Sequence, residues 1–328
     1  MSLPTPSDVH TNATLSDMSV MYQDELGDYN ADALAPVHAS PKQSDLFYKF
    51  TKDYWFRDAM QLTGPGAAAP RAGYGIETDS FHCNVWTVAK AIADQTRANE
   101  DNPLNSDRNA MQFVTRLERL RREKSFAAAC MAASKWSTDI TGNGSASTPG
   151  TSICQFNDSD ATPLEDIAFY RSFLKRTTGM DGNVLVLGRL AWDALRNNAD
   201  IIARISGGSN NGNPAMATRE IVAKLMDLEE IVVLNAVENT AAESATFVGS
   251  YIAGSSGLLM YRNKAAAVES VTAVKTFTWQ TYSRSPNGTR ILKYRDENVH
   301  SDIIEMHSAF VHKIVAPDCG VFFDDLVA

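Results

Sequence analysis

The stretch VTRLERLRREKSFAAACMAA, residues 114–133, predicts one long helix with two unlike halves. Its first turns are crowded with guanidinium and carboxylate groups, whereas its last turns are rich in alanine. Small residues allow close packing by a neighbouring element, and the charged turns favour solvent or a partner. A helix divided in this way is typical of a strut between lobes or between subunits, and it is awkward within one small globule.

The same stretch predicts the helix boundaries and its contacts. We expect a helix over 107–136, with Asp107 as its cap. Glu118 stands four residues before Arg122, the favourable order for an ion pair on one helix face. The predicted apolar stripe contains Phe113, Leu117 and Leu120.

The length of the chain, 328 residues, exceeds the roughly 250–300 at which a single hydrophobic core stops growing. We therefore expect two compact lobes, or one lobe with long excursions. Hydrophobic residues make up 44% and charged residues 21%, which is ordinary for a folded globular protein. No apolar run reaches the roughly 18 residues that cross a bilayer. The polar N-terminal stretch also lacks the basic start and apolar core of a signal peptide.

Charge is unevenly distributed along the sequence. The net charge of −9 argues against nucleic-acid binding by overall attraction. Residues 1–50 contain seven acidic and two basic side chains, a balance of −5, whereas residues 116–124 contain five basic and two acidic ones, a balance of +3. The two segments could pair, either within a subunit or between copies. Alternatively, both are ordinary surface charge in contact with solvent.

The order of segments suggests an unusual organisation. Residues 1–45 are interrupted by prolines and predict an extended arm that must lie on something else. Residues 46–90 predict two strands that reach a Gly/Pro/Ala-rich tip, a long projecting hairpin. A Gly/Ser/Thr-rich loop at 141–161 precedes an α/β lobe at 161–290. Residues 290–328 return to strand character and are expected to pack on the long helix.

Catalytic and metal-binding motifs are not apparent. The Gly-rich stretch GPGAAAP is followed by Pro70 and Gly73, which break the helix that a dinucleotide site needs. GSSG is one residue short of a nucleophile elbow, and the six histidines form no HxH or HExxH pattern. We therefore predict no catalytic residue, no metal and no cofactor. The well-separated cysteines are predicted to be free thiols: Cys83, Cys130, Cys154 and Cys319.

Taken in order, these segments resemble a bacteriophage major capsid protein of the Hong Kong 97 type. FHCNVWTVAKAIADQTRANEDNPLNSDRNAMQFVTRLERLRREKSFAAACM looks like that family's hairpin return and spine helix. NVLVLGRLAWDALRNNADIIARI and TREIVAKLMDLEEIVVLNA look like the start of its axial lobe, and IVAPDCGVFFDDLV is similar to its C-terminal finish.

The resemblance implies an α+β capsid fold with four parts. These are an N-terminal arm (1–45), an extended hairpin loop (46–95), a peripheral domain with the spine helix (96–160 and 290–328), and an inserted α/β axial domain (161–289).

The resemblance also implies a function. Many copies would form pentamers and hexamers that close into an icosahedral shell around double-stranded DNA, in a virion assembled in the bacterial cytoplasm. Implied partners are a separate scaffolding protein, which the initiating Met1 favours over a cleaved scaffold segment, a portal and a decoration protein. The candidate contacts with neighbouring subunits or genome are Arg116, Arg119, Arg121, Arg122 and Lys124.

Two other functions remain open at this point. An encapsulin-like nanocompartment would use the same fold to store an enzyme. A soluble α/β enzyme would place its site in the loops after NVLVL and EIVVLNA, with a deep pocket there.

Overall fold

A computed structural model describes residues 28–50, 52, 56–99, 105–205, 217–264 and 271–328. The first 27 residues of the predicted arm and the whole loop SGGSNNGNP therefore lie outside the described residues.

The described chain contains both helices and strands. In chain order they are α1 (Ala31–Leu34), β1 (Val37–Ser40), β2 (Ser44–Phe50), β3 (Ile76–His82), β4 (Asn84–Ala93), α2 (Asp94–Ala98), α3 (Ser106–Cys130), β5 (Asp139–Asn143), β6 (Ser152–Cys154), α4 (Pro163–Thr178), β7 (Val184–Gly188), α5 (Arg189–Arg196), α6 (Ala199–Ile205), α7 (Arg219–Leu225), β8 (Glu230–Leu234), β9 (Val237–Asn239), β10 (Gly249–Tyr251), β11 (Gly257–Met260), β12 (Val274–Trp279), α8 (Gln280–Ser283), β13 (Thr289–Asp296), β14 (Ser301–Ile314), a 3₁₀ turn (Pro317–Cys319) and β15 (Gly320–Asp324).

One sheet is built around the 14-residue strand β14. Its strand order is β1-β12-β14-β13, and β4 also pairs with β14 in antiparallel register. The start of α3 packs on this sheet, where Ala110 and Val114 join Ile92, Ile304 and Met306 in one apolar cluster. Strand β14 therefore packs on the long helix, as its apolar sequence predicted.

A second sheet has six strands in the order β6-β5-β15-β11-β7-β8. Its central strands are buried on both faces, because alternate side chains enter two different cores. Leu185 and Leu187 face helices α4–α7, whereas Val184 and Val186 face α1 and the end of α3. The α/β character predicted from the apolar runs NVLVL and EEIVVLNA is confirmed in β7 and β8.

The long helix α3 bridges the two sheets. Its buried side chains follow a row spaced by four residues, which drifts around the helix because four residues exceed one turn of 3.6. The start of the row therefore meets the five-stranded sheet, and its end meets the six-stranded one. The helix therefore connects the two sheets. The row consists of Ala110, Val114, Glu118, Arg122, Phe126 and Cys130.

Three details of the predicted helix were wrong. Asn105, not Asp107, caps it, accepting a hydrogen bond from the Arg108 amide at 2.9 Å. Asp107 instead binds Arg97 and Lys293. Phe113 is half exposed, because the buried row lies on another side of the helix. The helix also ends at Cys130, six residues earlier than expected.

The projecting hairpin is confirmed as two antiparallel strands, β2 and β3, whose register runs from Ser44 opposite His82 to Phe50 opposite Ile76. Its base is anchored on the five-stranded sheet. Phe81 stacks on Phe277 with ring centroids 4.2 Å apart, and the buried thiol of Cys83 lies 3.5 Å from the Phe277 carbonyl oxygen.

Strands from different parts of the predicted division of the chain pair with one another. β5 and β6 lie in what was expected to be a loop, and they join β15 in the six-stranded sheet rather than the other lobe. β12 leaves the expected axial segment and pairs with β14. The sequence predicts which segments are strands, but it does not specify their partners when a strand such as β15 is buried on both faces.

The last part of the predicted arm belongs to the body of its own subunit. Leu34 and Ala35 are fully buried, and β1 pairs in parallel with β12. Residues 31–40, which belong to the segment expected to lie on something else, therefore pack on their own subunit.

Candidate functional site

The five basic side chains predicted as contacts do not form one patch. At 3.6 residues per turn, positions 116, 119, 121, 122 and 124 are distributed around the whole circumference of α3. Arg122 and Lys124 form ion pairs within the subunit. The five side chains therefore have different surroundings.

Arg122 is a structural arginine. Its side chain is only 4% exposed. Its Nε and Nη2 atoms lie 3.0 and 2.9 Å from Glu118 Oε1, and its Nη1 donates to Asp32 at 2.8 Å. Further bonds run to the carbonyl oxygen of Asn287 and to the hydroxyl of Ser308. The predicted Glu118–Arg122 pair is confirmed, but the guanidinium group faces the interior and is not available to a genome or a neighbour.

The pairing of the acidic segment with the basic helix is confirmed within one subunit. The Asp32–Arg122 bond joins α1 to α3. Beside it, the Glu123 Oε2 atom accepts hydrogen bonds from the backbone amides of Asn30 and Ala31, at 3.0 and 2.8 Å. Burial raises the pKa of Glu123 to about 7, against the lowering effect of these two amides.

A neutral histidine completes this junction. The rings of Phe126 and Phe310 flank His312, which is 5% exposed. Burial and the nearby Arg122 charge lower its pKa to about 4. Its two ring nitrogens lie 2.9 Å from Thr276 Oγ1 and 3.2 Å from the Arg122 carbonyl oxygen. The imidazole thus links β12, β14 and α3 as an uncharged group.

The other four basic residues are more accessible. Arg121 stacks its guanidinium carbon 3.6 Å from the ring centre of Trp86, and Lys124 pairs with Glu238. Arg116 and Arg119 are partly exposed and lie three residues apart, on one side of α3. Arg119 also lines a cavity of about 350 Å³ together with Tyr29, Ala31, Asp32, Arg122 and Glu123.

The hairpin carries the most exposed apolar side chains of the described ranges. On its outer face Leu46 is 64% and Tyr48 is 72% exposed, whereas Phe47 on the inner face stacks on Phe277. Met60 and Leu62 in the tip are almost entirely exposed. An ion-pair cluster holds the base, because Asp79 binds both Lys49 and Lys313. These apolar side chains were not singled out from the sequence, where they merged with an irregular Gly/Pro-rich loop.

Backbone packs closely against the carboxyl end of β7. The Gly188 amide donates to the Ser256 carbonyl oxygen at 2.9 Å, and a Cβ atom on Gly188 would lie 2.2 Å from the Gly254 carbonyl oxygen. Across the described ranges, no group of His, Cys or acidic residues could hold a metal ion, and no helix is long and apolar enough to span a membrane.

Comparison by sequence finds no matching protein family and no matching curated protein. Comparison by structure finds capsid proteins. A phage-related protein from Bordetella bronchiseptica RB50 matches with a TM-score of 0.66 at 18% identity, over 93% of both chains. The capsid of cyanophage P-SCSP1u matches with a TM-score of 0.55 at 14% identity, over 88% of this chain and 84% of that one. This chain has the fold of tailed-phage capsid proteins.

The resemblance to the Hong Kong 97 type is thereby confirmed for the fold. An encapsulin shell protein from Synechococcus elongatus PCC 7942 also matches, with a TM-score of 0.53 at 9% identity over 100% of this chain and 96% of that one. At these identities the similarity concerns the fold, which shells of both kinds share.

Proposed function

We propose that this chain is the major capsid protein of a tailed phage or prophage, which assembles as pentamers and hexamers into an icosahedral shell around double-stranded DNA. The observation that carries the proposal is the hairpin, whose outer face and tip are left to solvent in a single subunit.

The hairpin is incomplete without a partner. A two-stranded hairpin alone is marginally stable in water, and a run of exposed apolar side chains marks an interaction surface. Covering each of Tyr48, Met60 and Leu62 would contribute about 1.5–3 kcal/mol. Other copies of the same chain are the partner that a shell supplies at high local concentration, so each hairpin would lie on an adjacent subunit.

In this proposal α3 is the spine helix, the five-stranded lobe is the peripheral domain and the six-stranded lobe is the axial domain. Arg116, Arg119, Arg121 and Lys124, which are more accessible than Arg122, are the proposed contacts with a neighbouring subunit or with packaged DNA. They would bind DNA through its phosphates, without sequence preference. A separate scaffolding protein, a portal and a decoration protein are the further partners that we propose, and the virion shell is the proposed location.

Negative-stain microscopy and size-exclusion chromatography of the purified chain test the proposal. We expect rings or closed shells from the wild type. We expect only unassembled, folded subunits when Met60 and Leu62 are both replaced by serine, because the tip then loses the apolar surface that a neighbour covers. The matched control replaces the exposed Ala67 and Ala68 in the same tip by serine and should assemble normally. A wild type that stays a 35.8 kDa monomer under all assembly conditions, with a small molecule bound, would favour the soluble enzyme instead.

A nanocompartment shell is the second candidate, because the similarity to the encapsulin extends over the whole chain. The two functions differ in what the particles enclose. Nuclease-protected double-stranded DNA in particles recovered from their native host would support the capsid, and a co-purifying cargo protein in place of DNA would support the nanocompartment.

A further inference from the structure

At the junction of α1 and α3, only one of the two oxygens of the Glu123 carboxylate accepts hydrogen bonds. The side chain of Glu123 is fully buried, and its Oε2 atom accepts both amide bonds from Asn30 and Ala31. Its Oε1 atom is buried and has no hydrogen-bond partner. Glu123 also lines the cavity beside Arg119 and Asp32. A buried carboxylate oxygen without a partner is costly as long as the group is charged.

Glu123 caps α1 from a distant part of the chain. Asn30 precedes this helix, but its side-chain amide donates to the Val233 carbonyl oxygen at 3.2 Å, and its side chain makes no capping bond. The first amides of α1 therefore depend on Glu123, 92 residues away from Ala31. Other bonds hold the later turn, where Arg262 donates to the Ala33 carbonyl oxygen at 3.0 Å. The contact with Glu123 thus holds Asn30 and Ala31 against α3.

We propose that Glu123 is a protonation switch that holds residues 28–31 tightly when its carboxyl group is neutral and loosely when it is charged. The geometry suits a neutral carboxyl group. The carbonyl-type Oε2 keeps both amide bonds, and the proton resides on Oε1, the atom that has no other partner. Ionisation leaves the amide bonds possible but places an uncompensated charge in the interior.

The charges around Glu123 act in the same direction. Asp28 and Asp32 on the N-terminal segment repel its charged form. On α3, Arg122 is already engaged by Glu118 and Asp32, and Arg119 lines the cavity. From β14, His312 faces the Arg122 carbonyl oxygen, and its pKa of about 4 keeps it neutral. Burial is the largest effect, and it raises the pKa of Glu123 from 4.5 to about 7.

The sign of the pH dependence follows from these values. In the closed junction Glu123 accepts the Asn30 and Ala31 amides, and in the open junction this contact is lost. The closed junction binds the proton of Glu123 more tightly than the open one. Raising the pH from 4.5 to about 7 therefore favours opening, and above 7 the effect levels off. With pKa values of about 7 closed and 4.5 open, the opening constant rises about tenfold between pH 6 and pH 8.

Hydrogen exchange of the full chain tests the switch. The amides of Asn30 and Ala31 report on it directly, once their exchange rates are corrected for the intrinsic effect of pH and expressed as protection. We expect wild-type protection to fall about tenfold from pH 6 to pH 8. Glu123→Gln keeps an acceptor and a donor in place of the neutral acid, so its protection should be independent of pH. The matched control is Glu243→Gln at an exposed position, which should behave as the wild type.

Either of two results overturns the proposal. The first is wild-type protection at these amides that does not change between pH 6 and pH 8. The second is Glu123→Gln that retains the wild-type pH dependence, since another group would then be responsible. The wild-type measurement alone is decisive if the glutamine variant does not fold.

Discussion

Replacing Arg122 by methionine should destabilise the subunit more than any change at the other four basic positions of α3. The guanidinium group is the centre of a buried network that includes Glu118, Asp32 and Ser308. Methionine preserves much of the length of the side chain and removes all of these bonds. Glu118, which is 8% exposed, would keep its bond from the Ser308 hydroxyl but would lose its counter-charge.

The magnitude follows from the burial of both partners. Removing one partner of a buried ion pair costs about 3–5 kcal/mol, because the remaining charge is left without compensation in the interior. The entropy of unfolding of 328 residues is roughly 0.7 kcal/mol per kelvin, so the melting temperature should fall by about 4–7 °C. Arg119→Met is the matched control, and its effect should stay within about 0.5 kcal/mol because Arg119 is partly exposed and has no ion pair among the described residues.

Urea unfolding of unassembled subunits measures these differences. The double variant Glu118→Gln with Arg122→Met should be more stable than Arg122→Met alone, because no buried charge is then left unpaired. Equal stability of Arg122→Met and Arg119→Met would refute the reasoning. It would mean that the network contributes little to folding and that Arg122 is free to serve an assembly contact.

Two further predictions concern close packing and the thiols. Gly142→Ala should destabilise the chain by about 1–3 kcal/mol in urea unfolding, because the new Cβ atom would lie 2.0 Å from the Asp325 carbonyl oxygen. The control is Gly73→Ala, which should have almost no effect because nothing lies within 4 Å of its Cβ position. Equal effects of the two substitutions would contradict the packing argument. The four cysteines should not react with a thiol reagent at pH 8 until the chain is unfolded, because all are buried and burial raises the pKa of Cys83 to about 11. Rapid labelling of the native chain would contradict this prediction.

Much of the fold could be predicted from periodicity, and strand partners could not. The run NVLVL predicts a strand because apolar β-branched residues in a short run favour a buried strand, and β7 lies at Val184–Gly188. The loop at 141–161 was misjudged, because Ile140 and Ile153 are isolated apolar residues among Gly, Ser and Thr. Their strands are short: β5 pairs with β15, which is distant in the sequence, and β6 pairs in turn with β5.

The candidate site shows a similar limit. The sequence predicted an ion pair between Glu118 and Arg122 from their spacing, and this pair is present. Spacing predicts neither burial nor which face of a helix the rest of the chain will cover. A stretch so rich in charge suggested an exposed surface, yet Glu118, Arg122 and Glu123 are all buried. The fold is thus easier to predict from the sequence than the role of a charged residue. The sequence does not distinguish a charge that contacts partners from a charge that stabilises the subunit.

The two halves of α3 can now be explained by what each part contacts. Its alanine-rich end packs under the six-stranded sheet, its start lies on the five-stranded sheet, and its charged middle meets α1 where the two sheets approach. A buried polar network is stable only when all of its members are satisfied together. The Arg122 network therefore couples α1, α3 and β14, so that none of them can shift without leaving a charge unpaired. Met60 and Leu62 in the hairpin, by contrast, are almost entirely exposed, and in the proposed shell they would contact another subunit.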